Sequence, residues 1–154
     1  MTLEAGQRAP DFEMATDGGG TVSLAGLAGR KVVLYFYPKD DTPGCTREAC
    51  GFRDSHPEFA GLDAVVVGVS KDSTARHDRF KAKHDLPFAL AADLDGSVCE
   101  AYGTWVEKSM YGRTFMGIER ATFLIDETGA IRRIWRKVRV NGHVDSVLEA
   151  ARSL

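Results

Sequence analysis

Lys31-Val32-Val33-Leu34-Tyr35-Phe36-Tyr37 is a lysine followed by six β-branched, aliphatic or aromatic residues. A run of this length, with no polar alternation, reads as a strand buried on both faces. Ala64–Val69 (AVVVGV) is a second such run. Residues 43–60 lie between them and are long enough for a helix, which Pro57 should end or kink near His56. Strand, helix and strand then make a crossover in a mostly parallel sheet.

Outward from this unit, Phe12–Ala15 and Thr21–Leu24 flank Gly18–Gly20 and read as an amino-terminal hairpin. Ser73–His84 reads as a polar helix capped by Asp72 or Ser73. Phe88–Ala91 is a short strand and Ser97–Tyr102 a short helix. Trp105–Gly117 shows neither helical nor alternating period and is expected to be a loop. Arg120–Asp126 and Ala130–Trp135 flank the turn Glu127-Thr128-Gly129 as a second hairpin. Asn141 or Gly142 opens a last helix over Val144–Arg152, whose Val144, Val147, Leu148 and Ala151 follow the helical period. The sum is an α/β three-layer sandwich with a central mixed sheet, in the order of the thioredoxin-like fold. No linker or repeat divides residues 1–154, so a single domain is expected.

Composition narrows the function. The 154 residues are 44% hydrophobic and 27% charged, with 20 basic against 22 acidic side chains and a net charge of −2. That balance excludes a disordered chain and offers no basic field for nucleic acid. The amino-terminal residues lack the apolar stretch of a secretory signal, and no apolar run approaches a membrane span. A cytoplasmic protein is expected, with neither nucleic acid nor membrane as partner. Cys45, Cys50 and Cys99 are too few, and odd in number, for a disulfide scaffold.

Cys45 sits where the first buried strand gives way to a helix. The carboxyl ends of strands are where open α/β sheets place their sites. Thr42 suits the cap and Pro43 the first helical position. A cysteine in that first turn meets the positive end of the helix dipole, which favours a thiolate. Burial, Asp40 and Asp41 oppose the charge, while Lys39 and Arg47 support it; a further cation has to decide the balance. At about 100° per residue, Cys45, Ala49, Phe52 and His56 share one face. Cys50 lies about 140° round and about 7.5 Å along, which puts the two Cα atoms roughly 8.7 Å apart. A disulfide tolerates about 7 Å at most. The pair therefore bridges only if the helix unwinds, which suits a redox switch and not a structural crosslink.

Pro38-x-x-x-Thr42-x-x-Cys45 resembles the signature of the peroxiredoxins, the cysteine-based peroxidases. Tyr37-Pro38-Lys39 and a second cysteine five residues after Cys45 are similar to the Q-type, or bacterioferritin comigratory protein, subgroup. Gly6–Phe12, Val98–Gly103, Trp105–Gly117 and Arg120–Asp126 extend the resemblance over nearly the whole chain. It implies that Cys45 attacks the peroxide and becomes a sulfenic acid. Thr42 would orient the peroxide, Pro38 would shield the pocket, and Arg120 would stabilise the thiolate. Cys50 would resolve the sulfenic acid as an intramolecular disulfide, reduced in turn by thioredoxin or a similar dithiol. The substrates would be hydrogen peroxide and organic hydroperoxides. The resemblance implies no metal or organic cofactor, and often a monomer.

The remaining residues read more plainly. Cys99 is expected to fill the core. Lys39 and Glu48 suit a solvated surface as well as any site. His56, His77, His84 and His143 share no metal-ligand spacing and read as structural or surface residues. Trp105, Tyr111 and Phe115 either line a substrate approach or simply pack. A thioredoxin-like disulfide reductase is the alternative function, but it normally uses C-x-x-C, and the pair here is wider. A metal-binding module is a third class, poorly served by three cysteines without clustered histidines.

Overall fold

The computed structural model describes residues 3–154. In chain order it contains β1 (Glu13–Thr16), β2 (Thr21–Ser23), β3 (Lys31–Phe36), α1 (Pro43–Asp54), α2 (His56–Gly61) and β4 (Ala64–Ser70). Then come α3 (Thr74–His84), β5 (Ala89–Ala92), α4 (Ser97–Ala101), β6 (Trp105–Met110), β7 (Arg113–Ile118), β8 (Ala121–Ile125), β9 (Ile131–Trp135) and α5 (His143–Arg152). Seven strands form one mixed sheet in the order β2-β1-β5-β4-β3-β8-β9. β3 and β5 run parallel to β4, and β8 is antiparallel to β3.

β3 lies inside this sheet, and from Val32 to Phe36 no residue is more than 1% exposed. Its alternating side chains feed two cores. Val32, Leu34 and Phe36 pack with Phe12, Cys99, Tyr102 and Phe123. Val33, Tyr35 and Tyr37 pack with residues of α1, α2, α3 and α5. The uninterrupted apolar run is thus explained by cover on both faces. Tyr35 stacks on Phe52 of α1 with ring centroids 4.7 Å apart. Emptying that site by Phe52→Ala would cost about 3–5 kcal/mol, as large core truncations do.

The helix between the buried strands breaks where the proline requires. Ser55, at φ −95° and ψ 3°, closes α1 and precedes α2, and Pro57 lies in the first turn of α2, where its missing N–H leaves no bond unmade. His56 consequently leaves the α1 face on which Cys45, Ala49 and Phe52 are buried. Ser73 caps α3, its Oγ accepting the N–H of Arg76 at 3.2 Å.

One segment departs from expectation. Residues 105–117 are not a loop; β6 and β7 pair antiparallel from Trp105↔Ile118 to Met110↔Arg113 as a separate two-stranded ribbon. Most of its residues are exposed or half-buried, so no core imposes an alternating pattern on the sequence. Its turn residues Tyr111 and Gly112 both have positive φ, 53° and 76°. That is the primed turn that matches strand twist, here built with a tyrosine in place of the usual asparagine. Among the described residues, no helix is long and apolar enough to cross a membrane.

Candidate active site

The loop from β3 to α1 opens at the end of a strand that cannot move without breaking the sheet. Thr42 holds extended backbone at the helix start, and its carbonyl accepts the N–H of Thr46 at 2.8 Å. Its hydroxyl does not cap the helix as expected. It donates to the carbonyl of Lys39 at 2.9 Å and so closes the loop on itself. Pro43 takes the start of the helix, and Cys45 follows in the first turn.

Cys45 is 2% exposed, and its Sγ accepts from Nη2 of Arg120 at 3.4 Å. Arg120 lies between β7 and β8, 75 residues along the chain. A Cβ on Gly44 would approach Nη2 of Arg120 to 3.2 Å, so a side chain there would crowd the guanidinium. Nη1 of the same group donates to Oε1 of Glu48 at 2.6 Å. The arginine that the resemblance pointed to thus stands between a sulfur and a carboxyl group.

Glu48 is the clearest correction. It is 0% exposed, not on the solvated surface, because it lies three residues from Cys45 on the buried side of α1. Burial pushes its carboxyl up to about 7, with Arg120 pulling against it. Among the described residues its Oε2 has no hydrogen-bond partner, and it stands 3.9 Å from Nε2 of His143, at the start of α5. His143 is itself 5% exposed and shares a 2.8 Å hydrogen bond with Oγ1 of Thr122. Burial and then Arg120 push its imidazole down to about 4. Burial works against the charge of Arg120, but Glu48 and Cys45 outweigh it and hold the guanidinium above its ordinary value. Position three on the face of Cys45 was the one signal in the sequence that could have marked Glu48; the role of His143 needed the fold.

Asp40 and Asp41 both find partners of their own beside the loop. Asp40 is buried and bonded to Tyr37 and His77. Asp41 is exposed, and its hydrogen bond to Lys83 holds it below the usual carboxylate range. Cys50 is half-buried on α1, and all three cysteines are free thiols. With α1 helical from Pro43 to Asp54, helix geometry keeps Cys50 about 8.7 Å from Cys45 between Cα atoms. Cys99 is 0% exposed, and burial, with Asp93 beside it, pushes its thiol well up. It fills the core as expected.

Pro38 lines an open cavity of about 390 Å³ with Lys39, Lys71, Trp105, Lys108 and Phe115 among its walls. The β6–β7 ribbon therefore brings Trp105 and Phe115 to the loop that precedes Cys45, while Tyr111 stands 98% exposed at the turn. Burial and Arg120 lower Lys108, and Cys45 opposes them.

Residues 5–134 match the family model described as the AhpC/TSA family. The chain is 55% identical over 148 residues to a putative peroxiredoxin bcp of Coxiella burnetii, covering 96% of this chain and 98% of the relative. It is 53% identical over 154 residues to peroxiredoxin Bcp of Bacillus subtilis, covering 100% and 98%. Among solved structures, a mutant of Xylella fastidiosa PrxQ superposes with a TM-score of 0.94 at 37% identity, over 99% and 98% of the two chains. A buried cysteine at a helix start, faced by an arginine within a thioredoxin-type sheet, agrees with these matches, and the chain belongs to the AhpC/TSA family as a thiol peroxidase of the Bcp, or Q-type, peroxiredoxin branch.

Proposed function

We propose that Cys45 is the peroxidatic cysteine and Cys50 the resolving one. The observation that carries this reading is the 3.4 Å approach of Arg120 to the buried Cys45 sulfur in the first turn of α1. A guanidinium and a helix start both favour the thiolate, which is the nucleophile. The thiolate attacks one peroxide oxygen and the O–O bond breaks. Sulfur is oxidised to the sulfenic acid, and the leaving oxygen takes a proton to become water or an alcohol. Thr42 orients the peroxide and Pro38 shields it from water. Arg120 receives the charge that builds on the breaking bond.

The turns between Cys45 and Cys50 then unwind. The Cys50 sulfur displaces hydroxide from the sulfenic acid, water departs, and a disulfide remains. A thioredoxin-type dithiol restores both thiols. The protein works as one domain over residues 1–154, as a cytoplasmic monomer. A disulfide reductase would need its pair closer than a five-residue step on an intact helix. A solved relative from Xanthomonas campestris, 42% identical, is described through its alkyl peroxide reduction activity and trapped intermediate and ligand complexes, which supports organic hydroperoxides as substrates here.

The test is one equivalent of hydrogen peroxide added to the reduced protein, followed by mass measurement and peptide mapping. Rapid loss of two hydrogens with a Cys45–Cys50 linkage is expected. Slow oxidation spread over all three cysteines would overturn the assignment.

A further inference from the structure

Asp40 stands between Pro38 and Thr42, and its N–H and both carboxylate oxygens are engaged. Its N–H donates to Oδ2 of Asp72 at 2.8 Å. Its Oδ1 accepts from the Tyr37 hydroxyl at 2.5 Å, and its Oδ2 lies 2.6 Å from Nδ1 of His77. The side chains of Asp40 and His77 are both 0% exposed. The other ring nitrogen of His77 donates to the carbonyl of Ala91 on β5 at 3.0 Å. A carbonyl only accepts, so Nε2 carries a proton, and a further proton lies between Nδ1 and the carboxyl group. Asp40, Asp72 and His77 have donor atoms within 4.8 Å of one another, but these bonds already engage them and leave a fastening, not an ion site.

His77 belongs to α3, which also supplies Lys83 to Asp41, the residue of this loop in the left-handed region at φ 60°. One helix away from Cys45 therefore grips the middle of the loop whose two ends are Pro38 and Thr42. A turn of five residues whose buried centre is bonded through its N–H and both carboxylate oxygens has little freedom left at either end. Geometry at a reacting centre is worth large factors in rate, and a small displacement loses them.

We propose that His77 is a positioning residue for peroxide reduction, holding Asp40 and thereby the placement of Pro38 and Thr42 about the Cys45 sulfur. This rests on the peroxidase reading. Nothing in it requires His77 to touch the peroxide.

The test exploits the two ring nitrogens. In His77→Asn the side-chain amide reaches the place of Nδ1 and keeps the bond to Asp40. In His77→Gln it reaches the place of Nε2 and keeps the bond to Ala91. Each variant stays polar and loses one partner. Reduced proteins are mixed with hydrogen peroxide in a stopped-flow instrument, and separately with iodoacetamide, which reads the sulfur without needing an oriented peroxide. H77N is expected to oxidise within threefold of the wild type and H77Q at least tenfold more slowly, with alkylation rates of all three within twofold. Equal oxidation rates for the two variants, or oxidation and alkylation falling together, would overturn the proposal. Tyr37→Phe removes one hydroxyl from Asp40 and leaves the ring, and it serves where a histidine variant does not fold. Oxidation slowed threefold or more with alkylation unchanged supports the fastening, and unchanged oxidation overturns it. A wild-type protein that leaves peroxide unreduced removes the peroxidase reading itself, and this proposal with it.

Discussion

The carboxylate of Glu48 lies 2.6 Å from Nη1 of Arg120, nearer than the Cys45 sulfur lies to Nη2 at 3.4 Å. One cation therefore serves a carboxyl group and a sulfur in a buried space. Such a guanidinium is useful only while its planar fork spans both.

Arg120→Lys keeps the charge and loses the fork. Peroxide oxidation of Cys45 is expected to slow by roughly a hundredfold, the scale seen when one transition-state donor is removed. Stopped-flow oxidation of the reduced variant measures it, and a rate within threefold of the wild type would refute the shared-cation role.

Glu48 and His143 make opposite demands on pH. The Glu48 carboxyl rises from 4.5 to about 7 on folding, so its contribution to stability is present below pH 4.5 and is lost as pH rises through 7. The His143 imidazole falls from 6.5 to about 4, so its contribution is present above pH 6.5 and is lost as pH falls through 4. Each amounts to roughly 3 kcal/mol. Between pH 4.5 and 6.5 the two slopes cancel. Urea unfolding across this range should show Glu48→Gln gaining stability relative to the wild type as pH rises toward 7. His143→Asn should gain relative to the wild type as pH falls toward 4. Difference curves without slope would contradict the buried placement of these groups.

The cysteines separate the two chemical steps. Cys45→Ser should abolish peroxide consumption. Cys50→Ser should keep a single round, measured as one equivalent of peroxide lost, and stop thioredoxin-linked turnover. Unchanged turnover in that variant would assign resolution to Cys99 or to an external thiol.

Gly51 lies on the helix that the proposed mechanism opens. A Cβ there would come within 2.9 Å of Cγ2 of Val144 on α5. Gly51→Ala alone therefore requires the Val144 side chain or α5 to shift. Joined with Val144→Ala, the clash is gone and the helix gains about 1 kcal/mol of propensity. The double variant should form the Cys45–Cys50 disulfide about fivefold more slowly than Val144→Ala alone, read by quenched-flow mass measurement. Amide exchange over residues 45–54 should rise on oxidation of the wild type. Equal disulfide rates, or unchanged exchange, would mean that α1 need not unwind.

The frame was legible from residues because it rests on local pattern. β3 and β4 are buried on both faces and read as unbroken apolar runs, and Pro57 marked the division between α1 and α2. Pairing of Cys45 with Arg120 came only through family resemblance, since 75 residues separate them and no periodicity spans such a gap. Glu48 was hidden because a carboxylate on a helix defaults to solvent, and only the arriving guanidinium justifies burying it. The β6–β7 ribbon was missed for the opposite reason: with little buried on either face, it leaves no alternation to read. Tyr111 at φ 53° also disguised its turn. The bonds of His77 to Asp40 and Ala91 join α3 to a loop and a strand that sequence distance keeps apart.

Ser55 separates α1 from α2 with a single non-helical residue. An unbroken helix through to Gly61 would transmit fraying from its first turn into the turns beyond, and Phe59 would share the fate of Cys45. Divided here, the chain has a firebreak. On the proposed mechanism, whatever melts between the two cysteines would end at Asp54, and Phe59 would keep its place in the core while the sulfur travels. On the proposed mechanism, each catalytic cycle would disturb α1 no further than Asp54 and leave the rest of the molecule to serve as the template on which it re-forms.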